Sequence, residues 1–151
     1  MLHGRPQPTF GSNRLVVWKY SLGLAQEKPL FGGGSDTFEP RFNSWLQQQG
    51  LSIPTERDGE VLPAYFDNPH NEYLALLLNH GLPAALLFIA LLLTALFHPL
   101  FRQSPFRLAI FAYAVQAFFS FSVCLVAPMF WVLLGLCCSG YHITSSQKHQ
   151  T

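Results

Sequence analysis

Charge is scarce in this sequence. Only 11% of its 151 residues are Asp, Glu, Lys or Arg, against about 25% in an ordinary soluble domain, and nine basic and eight acidic side chains nearly cancel to a formal +1. This balance supplies no basic stripe, which removes nucleic-acid binding from the candidate functions, and there is no acidic tail. Cysteine is scarce as well: Cys124, Cys137 and Cys138 are odd in number and lie in apolar runs, so no disulfide framework follows. The adjacent Cys137 and Cys138 can be read as lipid acceptors, with small packing residues the preferred reading. The opening Met1-Leu2-His3-Gly4-Arg5-Pro6 lacks the apolar core of a signal peptide, leaving membrane insertion to later segments. No Cys/His spacing resembles a metal site, and neither a Ser/His/Asp set nor paired carboxylates stands out. His80 lies too far along a continuous helix from His70 to share a metal with it, and His98 stands apart near Arg102. No metal and no other cofactor is expected.

What is present is unevenly distributed. Every acidic residue lies between Glu27 and Glu72, whereas Tyr73 to Gln147 carries only Arg102 and Arg107. The chain divides into a part suited to water and a part suited to lipid. In the first part, residues 1–11 read as loose, rich in Pro and Gly. From Ser12 the steps Leu15, Trp18 and Leu22 predict a helix capped by Ser12 or Asn13 and fading toward Lys28-Pro29, with Arg14 and Trp18 on one face. Pro29-Leu30-Phe31-Gly32-Gly33-Gly34-Ser35 predicts a turn whose glycines permit positive φ and close backbone approach. A second amphipathic helix is expected from about Asp36 to Gln49, with Phe38, Phe42, Trp45 and Leu46 on one side and Pro40 early enough to be tolerated. Residues 50–69, broken by Pro54, Gly59 and Pro63, read as a loop or small cap.

Beyond Asn71 the run Leu82 to Leu100 is long enough, at about 1.5 Å per residue, to cross most of a roughly 30 Å hydrocarbon layer. A stretch from Leu108 to Cys138 follows, interrupted by Ser120, Ser122 and Pro128, and reads as a helix to about Val123, a tight re-entry near Ala127-Pro128 and a short last helix. The expected fold is all-α: a polytopic membrane protein fragment with two or three transmembrane helices and an extracytoplasmic helical loop region. Residues 1–70 form the outer region, 71–138 the membrane helices and 139–151 a cytoplasmic tail. Arg102 and Arg107 in a short loop mark the cytoplasmic side by the positive-inside rule, placing residues 1–70 on the outer face. Gln116, Ser120 and Ser122 need protein neighbours in lipid, so a partner bundle is implied.

Two groups of side chains can carry chemistry. His70, in Asn68-Pro69-His70-Asn71-Glu72-Tyr73, places an imidazole at the outer mouth of a membrane helix, where it suits proton abstraction; the bland alternative is that Asn71 caps the helix and His70 merely precedes it. Arg14, beside Trp18, has the planar fork to hold a phosphate or pyrophosphate, against the reading of a solvated charge. Arg41 is a weaker candidate for substrate binding, and Arg57 is weaker again. Gly32-Gly33-Gly34-Ser35 lacks the lysine and spacing of a phosphate loop and reads as structural.

Three segments in order resemble the C-terminal half of the O-antigen ligase and polymerase family of membrane glycosyltransferases. Arg14-Leu15-Val16-Val17-Trp18 with Pro29-Leu30-Phe31-Gly32-Gly33-Gly34 and Phe38 is similar to its outer-loop pattern. His70-Asn71, nine residues and Gly81 resemble its H-N-x₉-G signature, and Ala127 to Leu136 its last membrane helix. The resemblance implies metal-free transfer of an oligosaccharide from an undecaprenyl-pyrophosphate donor to an acceptor hydroxyl on a glycan, lipid or protein, at the outer face of a bacterial inner membrane. It makes His70 the base and Arg14 the neutraliser of the departing pyrophosphate, with Asn71 holding the histidine and Tyr73 facing the glycan or packing. Ala84 stands where the family usually has a second glycine, and a further phosphate-contacting arginine is expected upstream. The chain is therefore expected to be the C-terminal part of a longer protein whose remaining membrane bundle is its partner, and its activity alone is in doubt. A noncatalytic membrane subunit or scaffold with partner-binding outer helices, and a polysaccharide polymerase of the same family, are the competing readings.

Overall fold

The computed structural model describes residues 13–57, 60–63, 65–101, 104–121 and 125–148. It divides into two compact units, Met1–Ala85 and Leu86–Thr151. The expected helical class is observed, with one addition: a short antiparallel hairpin, β1 (Pro54–Arg57) paired with β2 (Glu60–Pro63), where a loop was expected. Arg57 pairs with Glu60, so two residues, Asp58-Gly59, separate the strands in sequence. Asp-Gly is a favoured dipeptide for such a connection.

The first unit is built on α1 (Arg14–Ala25), α2 (Phe38–Gln48) and α3 (Glu72–His80). Asn13 stands at the N-cap of α1 with φ 62° and makes no side-chain cap; its Nδ2 instead donates to the Pro54 carbonyl at 3.4 Å. The buried face of α1 is Val17, Ser21 and Leu24, a four- then three-residue step, while Leu15 and Leu22 are both 52% exposed. This corrects the expected Leu15–Trp18–Leu22 face. In α1 apolar residues occur nearly all round, so spacing alone does not choose the side that tertiary contact buries. The expected face of α2 is observed: Phe38, Phe42 and Leu46 are buried, with Trp45 half-buried beside them. Pro40 falls in its first turn, where no intrahelical N–H is lost. These side chains, with Val17, Leu24, Ile53 and Leu78, make the core of the unit. Phe38 stacks on Phe42 at 4.9 Å, and Phe66 meets Phe42 edge-on. Burying a Phe42 or Leu24 fully contributes about 1.5–3 kcal/mol each.

The second unit takes up α4 (Leu82–Phe97) from Leu86 onward, a 3-10 turn (Pro99–Phe101), α5 (Arg107–Phe119) and α6 (Val126–Lys148). Phe130 lies at its centre, stacked on Tyr113 at 4.0 Å and flanked by Phe88 at 6.0 Å. Leu92, Ala95, Leu96, Ile110, Ala117, Leu134 and Cys137 are buried with it. Around this narrow core many large apolar side chains stay exposed, among them Leu87, Phe97, Leu108 and Leu125.

The expected transmembrane helices are shorter than a full span: among the described residues no helix is long and apolar enough to cross a membrane. The causes are local. Gly81, at φ 86° and ψ 177°, separates α3 from α4, so the uncharged run is split between two helices. The 16-residue α4 then reaches only roughly 24 Å. The 13-residue α5 is shorter still, and α6, with 23 residues, continues through the polar Ser139–Lys148 rather than ending near Cys138. Pro128 lies in the first turn of α6, so the expected re-entry there is a helix start; residues 122–124 lie outside the described residues.

Candidate functional site

Helix α3 separates two clusters of motif residues. Its nine residues rise roughly 13 Å, with His70 and Asn71 at its start and Gly81 just past its end. The spacing between His70-Asn71 and Gly81 is thus the length of one short helix.

At the start, Asn71 is 3% exposed and caps α3: its side-chain oxygen accepts the Leu74 N–H at 3.0 Å. His70, half-buried, adopts a left-handed backbone at φ 49°, a conformation that costs a side-chain-bearing residue on the order of 1 kcal/mol. Two polar contacts hold it there. The Asn68 side-chain oxygen accepts the His70 N–H at 2.9 Å, and the Trp18 Nε1–H donates to the carbonyl of Pro69, the preceding residue, at 2.8 Å. The second bond joins residues 51 apart in sequence and brings α1 to the histidine segment. Arg14, the first residue of α1 and half-buried, precedes Trp18 by four positions on the same helix face. The two residues read from sequence as base and phosphate holder are therefore carried by segments that the tryptophan ties together. Tyr73 and Glu72 lie in the first turn of α3 beside them, both half-buried.

At the far end of α3 the contacts are backbone against backbone. Gly33 N–H donates to Leu78 O at 2.8 Å, Gly34 N–H to Asn79 O at 2.9 Å, and Leu82 N–H to Pro29 O at 2.8 Å. A Cβ on Gly32 would overlap the Asn79 backbone, and one on Gly81 the Leu30 carbonyl. Gly32 and Gly34 also have φ of 66° and 103°. The glycine turn therefore closes on the last turn of α3 because neither chain presents a side chain there. Arg41 belongs to this end: its guanidinium lies over Gly33 and donates to the Leu78 carbonyl at 3.0 Å, a cation satisfying the last carbonyls of a helix. Asn71 and Tyr73 follow His70 at the start of α3, Arg14 lies one turn before the Trp18 that bonds Pro69, and Arg41 lies at the opposite end of α3.

The role of Trp18 as a tether and of Asn68 as acceptor for His70 N–H was not drawn from the sequence. Asn68-Pro69 carried the available signal, since Asn before a proline favours a turn in which its side chain bonds the backbone two residues on.

The comparisons bear on this same region. The family described as O-Antigen ligase matches residues 5–89, more than half of the chain and spanning both ends of α3 together with α1, α2 and the glycine turn. No curated protein and no solved structure matches the chain. With Arg14, Trp18, the glycine turn, His70-Asn71 and Gly81 all inside the matched segment, the chain belongs to the O-antigen ligase family.

Proposed function

We propose that the chain is the outer-face catalytic part of a membrane glycosyltransferase of O-antigen ligase type, which moves an oligosaccharide from undecaprenyl pyrophosphate to an acceptor hydroxyl. The carrying observation is the Trp18–Pro69 hydrogen bond, which joins the helix bearing Arg14 to the residue before His70. In this reading the His70 imidazole takes the proton of the acceptor hydroxyl as its oxygen attacks the anomeric carbon. The bond from that carbon to the pyrophosphate oxygen breaks, and undecaprenyl pyrophosphate departs with its charge met by Arg14. The dipole at the start of α3 adds a field favourable to an anion. Asn71 keeps that helix start in place, Tyr73 lies where the glycan passes, and Arg41 contributes to substrate binding through the fold of the glycine turn.

Attachment to the membrane is supported by the large apolar side chains exposed on α4, α5 and α6, a surface extensive for a protein in water. In the proposed arrangement this surface meets lipid and the further helices of a longer polypeptide.

His70→Ala abolishes glycan transfer in membranes while the protein accumulates to the normal level, and Arg14→Gln lowers the rate by about 10²-fold or more, the usual weight of one group aimed at developing charge. Transfer to a lipid-linked acceptor, followed by gel mobility of the glycan product, measures both. Unchanged transfer by His70→Ala would leave the chain as a scaffold.

A further inference from the structure

The peptide unit between Pro69 and His70 is held at both of its polar ends. Its carbonyl accepts the Trp18 Nε1–H at 2.8 Å, and its N–H donates to the Asn68 side-chain oxygen at 2.9 Å. Pro69 is fully buried, and its ring fixes its own φ. What stays adjustable is the setting of the peptide plane. In four-residue turns the central peptide has two settings, which give the residue after it a φ of about +80° or about −90°. His70, at φ 49°, has the setting that suits glycine, and a side-chain-bearing residue disfavours it by a factor of about five to a hundred. Turning the plane over would carry the carbonyl away from Trp18 and the N–H away from Asn68, so both bonds select the setting observed. One such bond shifts the balance about fivefold, and against that penalty the two act together. The amide of Asn68 is itself held the right way round: its Nδ2 donates to the Asp67 carboxylate at 2.8 Å, which leaves Oδ1 for the His70 N–H.

The setting of this plane matters because it aims the histidine. On its other side His70 is followed by Asn71, which is fixed by its cap on α3, so a change of φ at His70 is not absorbed further along and swings the imidazole against the helix start. A misplacement of about 1 Å at a reacting group costs roughly 10²-fold in rate, which makes the turned-over form inert. We propose that Asn68 is a positioning residue for glycan transfer: by accepting the His70 N–H it holds the left-handed backbone that points the imidazole at the acceptor hydroxyl, without itself meeting the reacting atoms. The inference rests on the reading of His70 as the base and adds what sets its direction. Trp18 holds the other end of the same peptide, but it belongs to α1, where its loss would disturb more than one bond; Asn68 is half-buried in the segment before α3 and isolates the effect.

The test compares Asn68→Ala with Asn68→Asp, which keeps an acceptor oxygen in the same place. In membranes holding the full chain, with an undecaprenyl-pyrophosphate-linked oligosaccharide as donor and a lipid-linked acceptor, Asn68→Ala lowers kcat about fivefold and leaves KM within about twofold, the loss expected from one hydrogen bond that sets a productive population. Asn68→Asp restores kcat to within about twofold. Unchanged helix content by circular dichroism establishes that each variant is folded. A second readout does not involve transfer: in the isotope-labelled full chain in nonionic detergent, followed by nuclear magnetic resonance, the His70 amide proton exchanges with water about fivefold faster in Asn68→Ala and slows again in Asn68→Asp. Full kcat in a folded Asn68→Ala, an equal loss in Asn68→Asp, a loss carried by KM alone, or unchanged exchange of the His70 amide overturns the proposal. His70→Ala separates the two levels: if it is inactive while Asn68→Ala keeps full kcat, the positioning role fails alone, and if it transfers normally, the base and its positioning fail together.

Discussion

The two units are both helical but are held by different kinds of contact. In the first, chain segments far apart in sequence meet through polar and backbone contacts: Trp18 to Pro69, Asn13 to Pro54, Arg41 to Leu78, and the glycine turn against the end of α3. In the second, a few side chains around Phe130 make the core, and much of the apolar surface faces outward. Hydrogen bonds and close backbone approach are directional, so they fix positions to fractions of an ångström; apolar packing gains free energy by area and tolerates more sliding. A group that must meet a reacting hydroxyl needs the former. The candidate site residues His70, Arg14, Asn71, Tyr73 and Arg41 and the directional contacts accordingly occur in the same unit.

Matched glycine substitutions give the sharpest contrast. Gly81 has a backbone conformation open almost only to glycine, and its Cβ would overlap Leu30 O. Gly81→Ala is expected to destabilise the first unit by about 3 kcal/mol or more and to abolish transfer with it. In the second unit Gly135 lies within α6, where a Cβ would meet nothing within 4 Å. Gly135→Ala is expected to stabilise by up to about 1 kcal/mol, from helix propensity alone. Thermal unfolding of the two variants in the same detergent measures both. Equal effects would mean that the difference between the units is not one of packing precision.

The same contrast explains what could be read in advance. The face of α2 was legible because Phe38, Phe42 and Leu46 are apolar among Glu39, Arg41, Asn43 and Gln47, so period and burial agree. Asn71 as a cap and the turn at Gly32-Gly34 were legible because each depends on chemistry local to a few residues. The α1 face was not, since Leu15, Val16, Val17, Leu22 and Leu24 offer apolar groups on several sides. Nor was the hairpin, because the charges of Glu56, Arg57 and Glu60 obscured the turn signal of Asp58-Gly59. The lengths of α4 and α5 were overestimated at their ends, because hydropathy counts residues without registering the breaks at His98-Pro99 and Ser120, before which the helices stop at Phe97 and Phe119. At the site, His70, Arg14 and Asn71 were named from residue type and position and Gly81 from the family resemblance, but their linkage by Trp18 and by the glycine turn crosses some fifty residues of chain and leaves no periodic trace.

Ser21 gives the smallest expected effect and bears most directly on whether directional contacts dominate throughout the first unit. It is fully buried on the inner face of α1, between Val17 and Leu24, and its Oγ has no hydrogen-bond partner among the described residues. A buried hydroxyl without a partner costs free energy, whereas alanine fits the same space and is the better helix former. Ser21→Ala is therefore expected to stabilise by about 0.5 kcal/mol, a rise in melting temperature of about 1–2 °C for a chain of this size. Such a rise would mean that this stretch of α1 is held by close packing of small and apolar groups, as in the second unit, with the directional contacts confined to the Trp18 and glycine-turn ends. A fall would mean that the hydroxyl is engaged, and the polar linkage between α1 and its neighbours would then extend a full turn beyond Trp18, along the face that carries Arg14.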